Sequence, residues 1–397
     1  MKGNKVAVFL GDHFWSSIPY DGLPLYNLLK EHYDTDLIMF TGDIRLNKQF
    51  RGDEKYYFDT NHFKKCNLQT VSNWQEFYAK SADYDLILTA AHIAPKTRLP
   101  FQPPPGSFWR DCKKVQKVKI AQCPVAVWDI GGADVLTNQR IFSDFVFVKG
   151  PIWKKWLVSM GEDENKIFVT GTPHYDGYLD EFESHSLDPI LSEKEFNKKY
   201  QLKEDSTKIL IMPCNPSSHR KHFEDNLAQL KKLYKLAEKH NVEFLIKTYP
   251  HDYVFYEDEV AYSGVYKRPY TYNVPQYTFL KEQFPKAKIL ESQDHYSAMK
   301  YCDKLFNISG SHVAWESYFT KIISNSLNYE EQPYYINVNF LPEWVKYPDD
   351  LLNCNLQDVE SVLRYKDTNK SMCDRYFTRE LSISNILNAV QQILRSE

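Results

Sequence analysis

No two of the seven cysteines (Cys66, Cys112, Cys123, Cys214, Cys302, Cys354, Cys373) form a Cys-x-x-Cys pair. An odd, scattered set fits neither a disulfide framework nor a zinc knuckle, and reads as reduced thiols of a cytosolic protein. No run approaches the ~18 consecutive apolar residues that a membrane-spanning helix needs. The opening MKGNKVAVFLGDHFW holds one short apolar run that meets Gly11 and Asp12 almost at once. A secretory signal requires an apolar stretch of about 7–15 residues and a small-residue cleavage site, so none is expected. A surplus of positive charge is also missing: 49 Lys+Arg stand against 52 Asp+Glu, a net charge of −3. Dedicated nucleic-acid binders usually carry a basic excess, so nucleic acid is not an expected partner. The densest basic run, Arg110 to Lys119 (RDCKKVQKVK), reads as a solvated face. Gly-x-Gly-x-x-Gly is absent, which removes the dinucleotide fingerprint. The expectation is a soluble, cytoplasmic protein. Peripheral membrane contact stays open, because a basic or aromatic surface patch leaves little trace in a sequence.

What is present is an ordinary globular composition over 397 residues, 43% hydrophobic and 25% charged, enough for two or three domains. The dominant rhythm is a short β-branched run, a turn and an amphipathic helix. Strands are expected at Lys5–Leu10, Asp36–Thr41, Asp85–Ala90, Val125–Asp129, Phe145–Lys149 and Lys166–Thr170. A helix is expected around Leu23 to Tyr33. The charged stretch 179–206 breaks the pattern and reads as an interdomain linker region with room for one surface helix. The rhythm restarts with strands at Lys208–Met212, Val242–Lys247, Ala287–Leu290, Lys304–Ile308 and Lys321–Ser324, with a helix from about His222 to His240. Continuous apolar runs, rather than alternating ones, indicate strands covered on both faces, hence parallel sheets with helices outside. The fold class is therefore α/β, with two doubly wound Rossmann-like domains facing across a cleft. The domains are expected at 1–180 (acceptor side) and 207–380 (nucleotide donor), with 181–206 as linker. The helix in 381–397 is placed as one that can cross back to the first domain.

Ligands of such sheets sit beyond the carboxyl ends of the strands, so those loops carry the candidate residues. After the first strand stand Asp12 and His13, a carboxylate and an imidazole able to act as general base. Asp129, Gly131 and Gly132 form a second cluster, where paired glycines let a backbone approach a ligand closely. His174 and Asp176 come after the sharp Gly171-Thr172-Pro173 turn. In the second half, Asn215, Ser218 and His219 precede a helix and suit a phosphate. Lys247, Tyr249 and His251 close the next strand, with cations for phosphate and a ring for a base. The strongest element is Ile308-Ser309-Gly310-Ser311-His312-Val313-Ala314-Trp315-Glu316, a strand running through small polar residues into a helix. Backbone N–H groups with the Ser309 and Ser311 hydroxyls suit a diphosphate at a helix start. Glu316, about one turn further, suits ribose hydroxyls. Plain N-capping by Ser311 is the competing structural reading.

The segment Asp294 to Asp303, the KLFNI strand and SGSHVAWE together resemble the second domain of GT-B glycosyltransferases. The nearest flavour is the group of CDP-glycerol glycerophosphotransferases of teichoic acid synthesis and related capsule enzymes. Val169 to Asp176 likewise resembles their Gly-x-Pro-x-x-Asp segment, and the resemblance spans roughly residues 140–330. That group carries a His-Gly in its first domain and a His-Pro after its Lys-bearing strand. Here the slots read Asp129-Ile130-Gly131 and Pro250-His251, which favours sugar transfer over polyol-phosphate transfer.

The resemblance implies a glycosyltransferase moving a sugar from a nucleotide-sugar donor to a glycan or other hydroxyl acceptor, in surface polysaccharide or glycan synthesis. Asp12, His13 or Asp129 would deprotonate the acceptor, and Ser309, Gly310 and Ser311 with His219 or Lys247 would stabilise the leaving diphosphate. No metal and no cofactor beyond the nucleotide-sugar co-substrate are expected, because a helix start and cations can hold the charge. The alternatives are a CDP-polyol phosphotransferase, a UDP-sugar 2-epimerase-like enzyme, a DNA-base glycosyltransferase and a non-catalytic nucleotide- or glycan-binding relative.

Overall fold

A strand with apolar side chains on both of its faces needs cover on both sides, and the chain supplies it twice. The computed structural model describes residues 3–9, 22–40, 66–71, 74–89, 118–123, 143–159, 161–177, 190–212, 231, 234–235, 240–247, 282–290, 294–308, 316, 320, 323–327 and 381–396. The first sheet holds β1 (Lys5–Phe9), β2 (Asp34–Phe40), β3 (Leu68–Val71), β4 (Leu86–Thr89), β5 (Lys119–Gln122), β6 (Phe145–Val148) and β7 (Ile167–Val169). Their order is β3-β2-β1-β4-β5-β6-β7, and every pairing is parallel. The second sheet holds β8 (Thr207–Met212), β9 (Val242–Lys247), β10 (Lys288–Leu290), β11 (Lys304–Ile308) and β12 (Ile323–Leu327). Its order is β10-β9-β8-β11-β12, again all parallel. Two Rossmann-like α/β sheets are thus in place, as the apolar runs foretold.

Along β1 the side chains alternate between two cores. Val6 and Val8 join Leu37, Leu86, Leu88 and Ala121 on one face. Ala7 and Phe9 join Ile38, Ile87 and Ile120 on the other. The first face is covered by α1 (Leu23–Leu29) and by the C-terminal helix α7 (Ser382–Arg395). The second is covered by α2 (Trp74–Ser81), whose Phe77 ring lies 4.6 Å from that of Phe9. Pro24 starts α1 where its missing N–H costs nothing. Helices α3 (Pro151–Ser159) and α4 (Pro173–Asp176) flank β7 in sequence.

Helix α7 is the last element of the chain, yet it completes the first core. Ile386, Ala389, Val390 and Ile393 recur at helical spacing and pack against Val6, Val8, Leu25 and Leu29. Leu381 stands at its N-cap and makes no side-chain cap bond. Asp176 supplies one from far away in the sequence. Its carboxylate accepts from the Ser382 amide at 2.9 Å, the Ser382 hydroxyl at 2.7 Å and the Ile383 amide at 3.3 Å. At the opposite end Lys119 Nζ donates to the Ile393 carbonyl at 2.8 Å and to that of Ser396. An anion at the amino end and a cation at the carboxyl end both match the helix dipole.

The structure corrects several expectations. Strands β3 and β5 were not foreseen, and Lys119 opens β5 instead of lying on a solvated basic face. Residues 110–117 of that run and the expected strand Val125–Asp129 lie outside the described residues. Of the expected helix 222–240, residues 231, 234, 235 and 240 are described; the first three are helical and His240 lies in a turn. Within the stretch read as linker, α5 (Glu193–Tyr200) is the one surface helix the stretch has room for: its charged residues are exposed, and Phe196, Asn197 and Tyr200 form its buried face. Its start is a capping box, Ser192 with Glu195, and Gln201 ends it in the left-handed region at φ 52°. α6 (His295–Tyr301) precedes β11 and packs on α5.

Removing the remote cap isolates its contribution. Asp176→Ala is expected to weaken the docking of α7 by about 1–2 kcal/mol. Hydrogen exchange of the amides at 383–390 should then accelerate, and unchanged protection there would contradict the capping role.

Candidate functional site

In a parallel sheet the strand register decides which loops share an edge. In the second sheet Lys247 at the end of β9 stands level with Met212 of β8, which pairs with Asn307 of β11. The chain segments beyond β8, β9 and β11 therefore leave from one edge. These segments carry Asn215, Ser218, His219, Tyr249, His251, Ser309, Gly310, Ser311 and His312. In the first sheet the segments after β1, β5 and β7 likewise leave one edge, and they carry Asp12, His13, Asp129, Gly131, Gly132, His174 and Asp176.

Three of the expected residues have described side chains. Lys247 is half-buried at its strand end. Asp176 is buried, with its oxygens turned to the start of α7, and it fixes that helix. Glu316, seven residues after Ser309 in the sequence, is helical and fully buried. His174 is placed in α4 by its backbone. The other site residues, Asp12, His13, Asp129, Gly131, Gly132, Asn215, Ser218, His219, Tyr249, His251, Ser309, Gly310, Ser311 and His312, lie outside the described residues.

Glu316 has a partner that its sequence context does not reveal. His295, the first residue of α6, donates from Nε2 to Glu316 Oε2 at 2.5 Å, with both side chains buried. Nε2 is the donor of this bond in the tautomer that carries its proton there, since an ionised carboxylate only accepts. The neighbours of His295 are held on both sides. Asp294 is buried and bonded to Lys199 Nζ at 2.6 Å and to the Tyr200 hydroxyl, both from α5. Tyr296 packs its ring against Gly177, where an added Cβ would sit 2.7 Å from Tyr296 Cε1. Around them Ser297 Oγ accepts from the Leu191 amide at 2.9 Å, and the Tyr301 hydroxyl donates to the Leu191 carbonyl at 2.8 Å. The signal available in sequence was weak: an Asp-His pair opening a helix, 21 residues before Glu316.

One further cation faces the first sheet's loop edge. Lys149 comes directly after β6 and is almost wholly buried, its ammonium 5.8 Å from the centre of the Tyr175 ring.

No Asp-x-Asp motif is among the features expected from the sequence, and this is corrected: two such triplets, Asp34-Thr35-Asp36 and Asp83-Tyr84-Asp85, are present with a spacing suited to chelation. Both lie at the amino edge of the first sheet, opposite its loop edge. Asp36 takes Lys5 Nζ at 3.3 Å, the Tyr84 hydroxyl at 2.7 Å and the Asn67 amide group. Asp85 Oδ2 accepts the Lys5 amide at 2.8 Å. Burial first, then the bond to Asp36, pushes the Tyr84 phenol above its ordinary range and keeps it a donor. These carboxylates tie strand starts together. Among the described residues no group of three or more His, Cys, Asp or Glu side chains is placed to hold a metal ion, and no helix is long and apolar enough to cross a membrane.

No family model and no curated protein matches the chain. Solved structures do. The UDP-GlcNAc 2-epimerase from Methanocaldococcus jannaschii superposes with a TM-score of 0.57 at 13% identity, covering 98% of this chain and 99% of that one. The UDP-GlcNAc 2-epimerase from Neisseria meningitidis, bound to UDP-GlcNAc, gives 0.55 at 12% identity over 98% and 100%. A putative UDP-N-acetylglucosamine 2-epimerase from Listeria monocytogenes gives 0.53 at 11% over 99% and 97%. At such identities the match establishes the fold, two Rossmann-like domains of GT-B type. The neighbours are epimerases, so the resemblance to glycosyltransferases and CDP-glycerol transferases holds at the level of fold.

The contact of Gly177 with Tyr296 is open to a simple test. Gly177→Ala is expected to cost about 1–3 kcal/mol through overpacking, read from denaturant unfolding. Tyr296→Leu in the same chain should recover most of that loss, and a strictly additive double mutant would refute the contact.

Proposed function

We propose that this chain is a nucleotide-sugar enzyme, and that its reaction is the epimerisation of a UDP-linked sugar at C2. The observation that carries the nucleotide half is the position of Glu316: a buried carboxylate fixed by His295 just past the segment that leaves β11. Ribose hydroxyls donate well to such a group, and the preceding small polar residues suit a diphosphate. The sugar half is supported by likeness to UDP-GlcNAc 2-epimerases over nearly the whole of both chains.

The leaving group dictates the chemistry. A ring C2–H is not acidic while C1 keeps its diphosphate. Breaking the C1–O bond sends the electron pair to UDP, where the helix start, Lys247 and His219 offset the charge. The C2 proton then passes to a base from the first domain, Asp12, His13 or Asp129, leaving a C1–C2 double bond. Proton return on the opposite face, with UDP adding back to C1, inverts C2 and consumes nothing else.

Glycosyl transfer shares the breaking of the C1–O bond. It differs in the second event, where an acceptor hydroxyl attacks C1 in place of proton loss from C2. The segments 169–176 and 294–316, which resemble GT-B transferases, favour that second reading. It would take a glycan or other hydroxyl acceptor, in surface polysaccharide synthesis.

Incubating the full chain with UDP-GlcNAc and no acceptor separates the two. Proton NMR should show the C2 epimer accumulating and solvent deuterium entering at C2. Release of UDP only on adding a hydroxyl acceptor would replace epimerisation by transfer. Saturating UDP at 100 times its dissociation constant should stabilise the fold by about 2.7 kcal/mol. Glu316→Ala should weaken UDP binding by roughly ten- to a hundredfold, and wild-type affinity in that variant would remove Glu316 from the site.

A further inference from the structure

We propose that His295 is a positioning residue that sets how strictly the site demands a ribose over a deoxyribose; this rests on the nucleotide-binding reading of Glu316. Glu316 is fully buried and His295 is 3% exposed. Nε2 and Oε2 lie 2.5 Å apart, in direct hydrogen-bond contact and closer than the about 2.7–2.9 Å usual between an N–H donor and a carboxylate. Such a bond fixes the carboxylate plane and thereby the direction in which the group meets a ligand hydroxyl. A lone glutamate on a helix would sample several rotamers and lose part of its affinity on ordering. Held by an imidazole that is itself anchored, it is ordered before the nucleotide arrives.

The anchoring comes from both flanks. Asp294 ties the backbone before His295 to Lys199 and Tyr200 of α5. Tyr296, directly after it, is wedged on Gly177. The segment that carries His295 is thereby held on both sides, and the imidazole meets Glu316 from that held segment. A purely structural ion pair would affect stability alike for every ligand. A positioning pair affects the ligand that carries the hydroxyl more than the ligand that lacks it.

Calorimetric titration of the full chain with UDP and with 2′-deoxy-UDP provides the readout. Wild type should prefer UDP by roughly ten- to a hundredfold, the value of one hydrogen bond to a charged group. His295→Phe, which fills the volume without a donor, should bring the ratio close to one through loss of UDP affinity. His295→Gln, which restores an N–H donor, should recover much of the preference. In ligand-free wild type, proton NMR should show a far-downfield imidazole N–H that is protected from exchange and disappears in Glu316→Gln, a reading independent of how the variants fold. Absence of that resonance, or a folded His295→Phe that keeps the wild-type ratio, overturns the proposal. So does a wild type that binds UDP and 2′-deoxy-UDP alike, with the nucleotide reading left standing. A wild type that binds no UDP overturns that reading and this one together.

Discussion

Parallel pairing is the constraint from which the architecture derives. A strand cannot turn tightly back into a parallel neighbour, so each pair needs a crossover over one face of the sheet. Crossovers on both faces bury the strand on both sides, which is why β1 and β4 carry apolar residues almost without interruption. The same rule sends every strand's carboxyl end to one edge. In each sheet the order reverses beside the first strand, at β1–β4 and at β8–β11, the kind of switch point beside which open α/β sheets bind their ligands. The edge at which the candidate residues gather is a consequence of strand polarity before any side chain is chosen.

Cover on both faces has a second consequence, since the first sheet is finished by the end of the chain. Helix α7 lies on the core of β1, β2 and α1, so residues beyond 380 stabilise elements formed from residues 5–40. Its two termini are satisfied by Asp176 and Lys119, neither of them near it in sequence. Buried carboxylates recur as ties of this sort. Asp36 joins strand starts, Asp176 starts a helix, Asp294 joins α5 to α6, and Glu316 meets His295. Each is stabilised only because its donors sit within hydrogen-bond reach; an unpartnered buried charge would cost several kcal/mol, about 3–5 in measured cases.

Legibility differed sharply between fold and site. Strands with continuous apolar runs, such as β9 and β11, have the limits expected from sequence. Short strands with two polar residues in four, Leu68–Val71 (LQTV) and Lys119–Gln122 (KIAQ), offer no such run and are not legible in the sequence. Phe196 and Tyr200 were hidden in a charged stretch because a helix with one buried stripe is mostly polar in composition. At the proposed site, Glu316 stands out in the sequence by its spacing after a strand, whereas its partner His295 does not, because nothing local links it to a residue 21 positions later.

Sequence by itself determined the class of the protein: strand–helix alternation, two doubly wound halves, and the strand ends at which polar residues gather. These are local properties, fixed by periodicity and turn chemistry within windows of about ten residues. Only the tertiary structure decided which carboxylate does what. Asp176 and Glu316 look alike in sequence, each an acidic residue soon after a strand and a turn. One caps a helix 206 residues away and the other is gripped by an imidazole. The physical reason is that a buried charge takes its role from the donors that packing brings within about 3 Å, and packing joins residues that the chain keeps far apart.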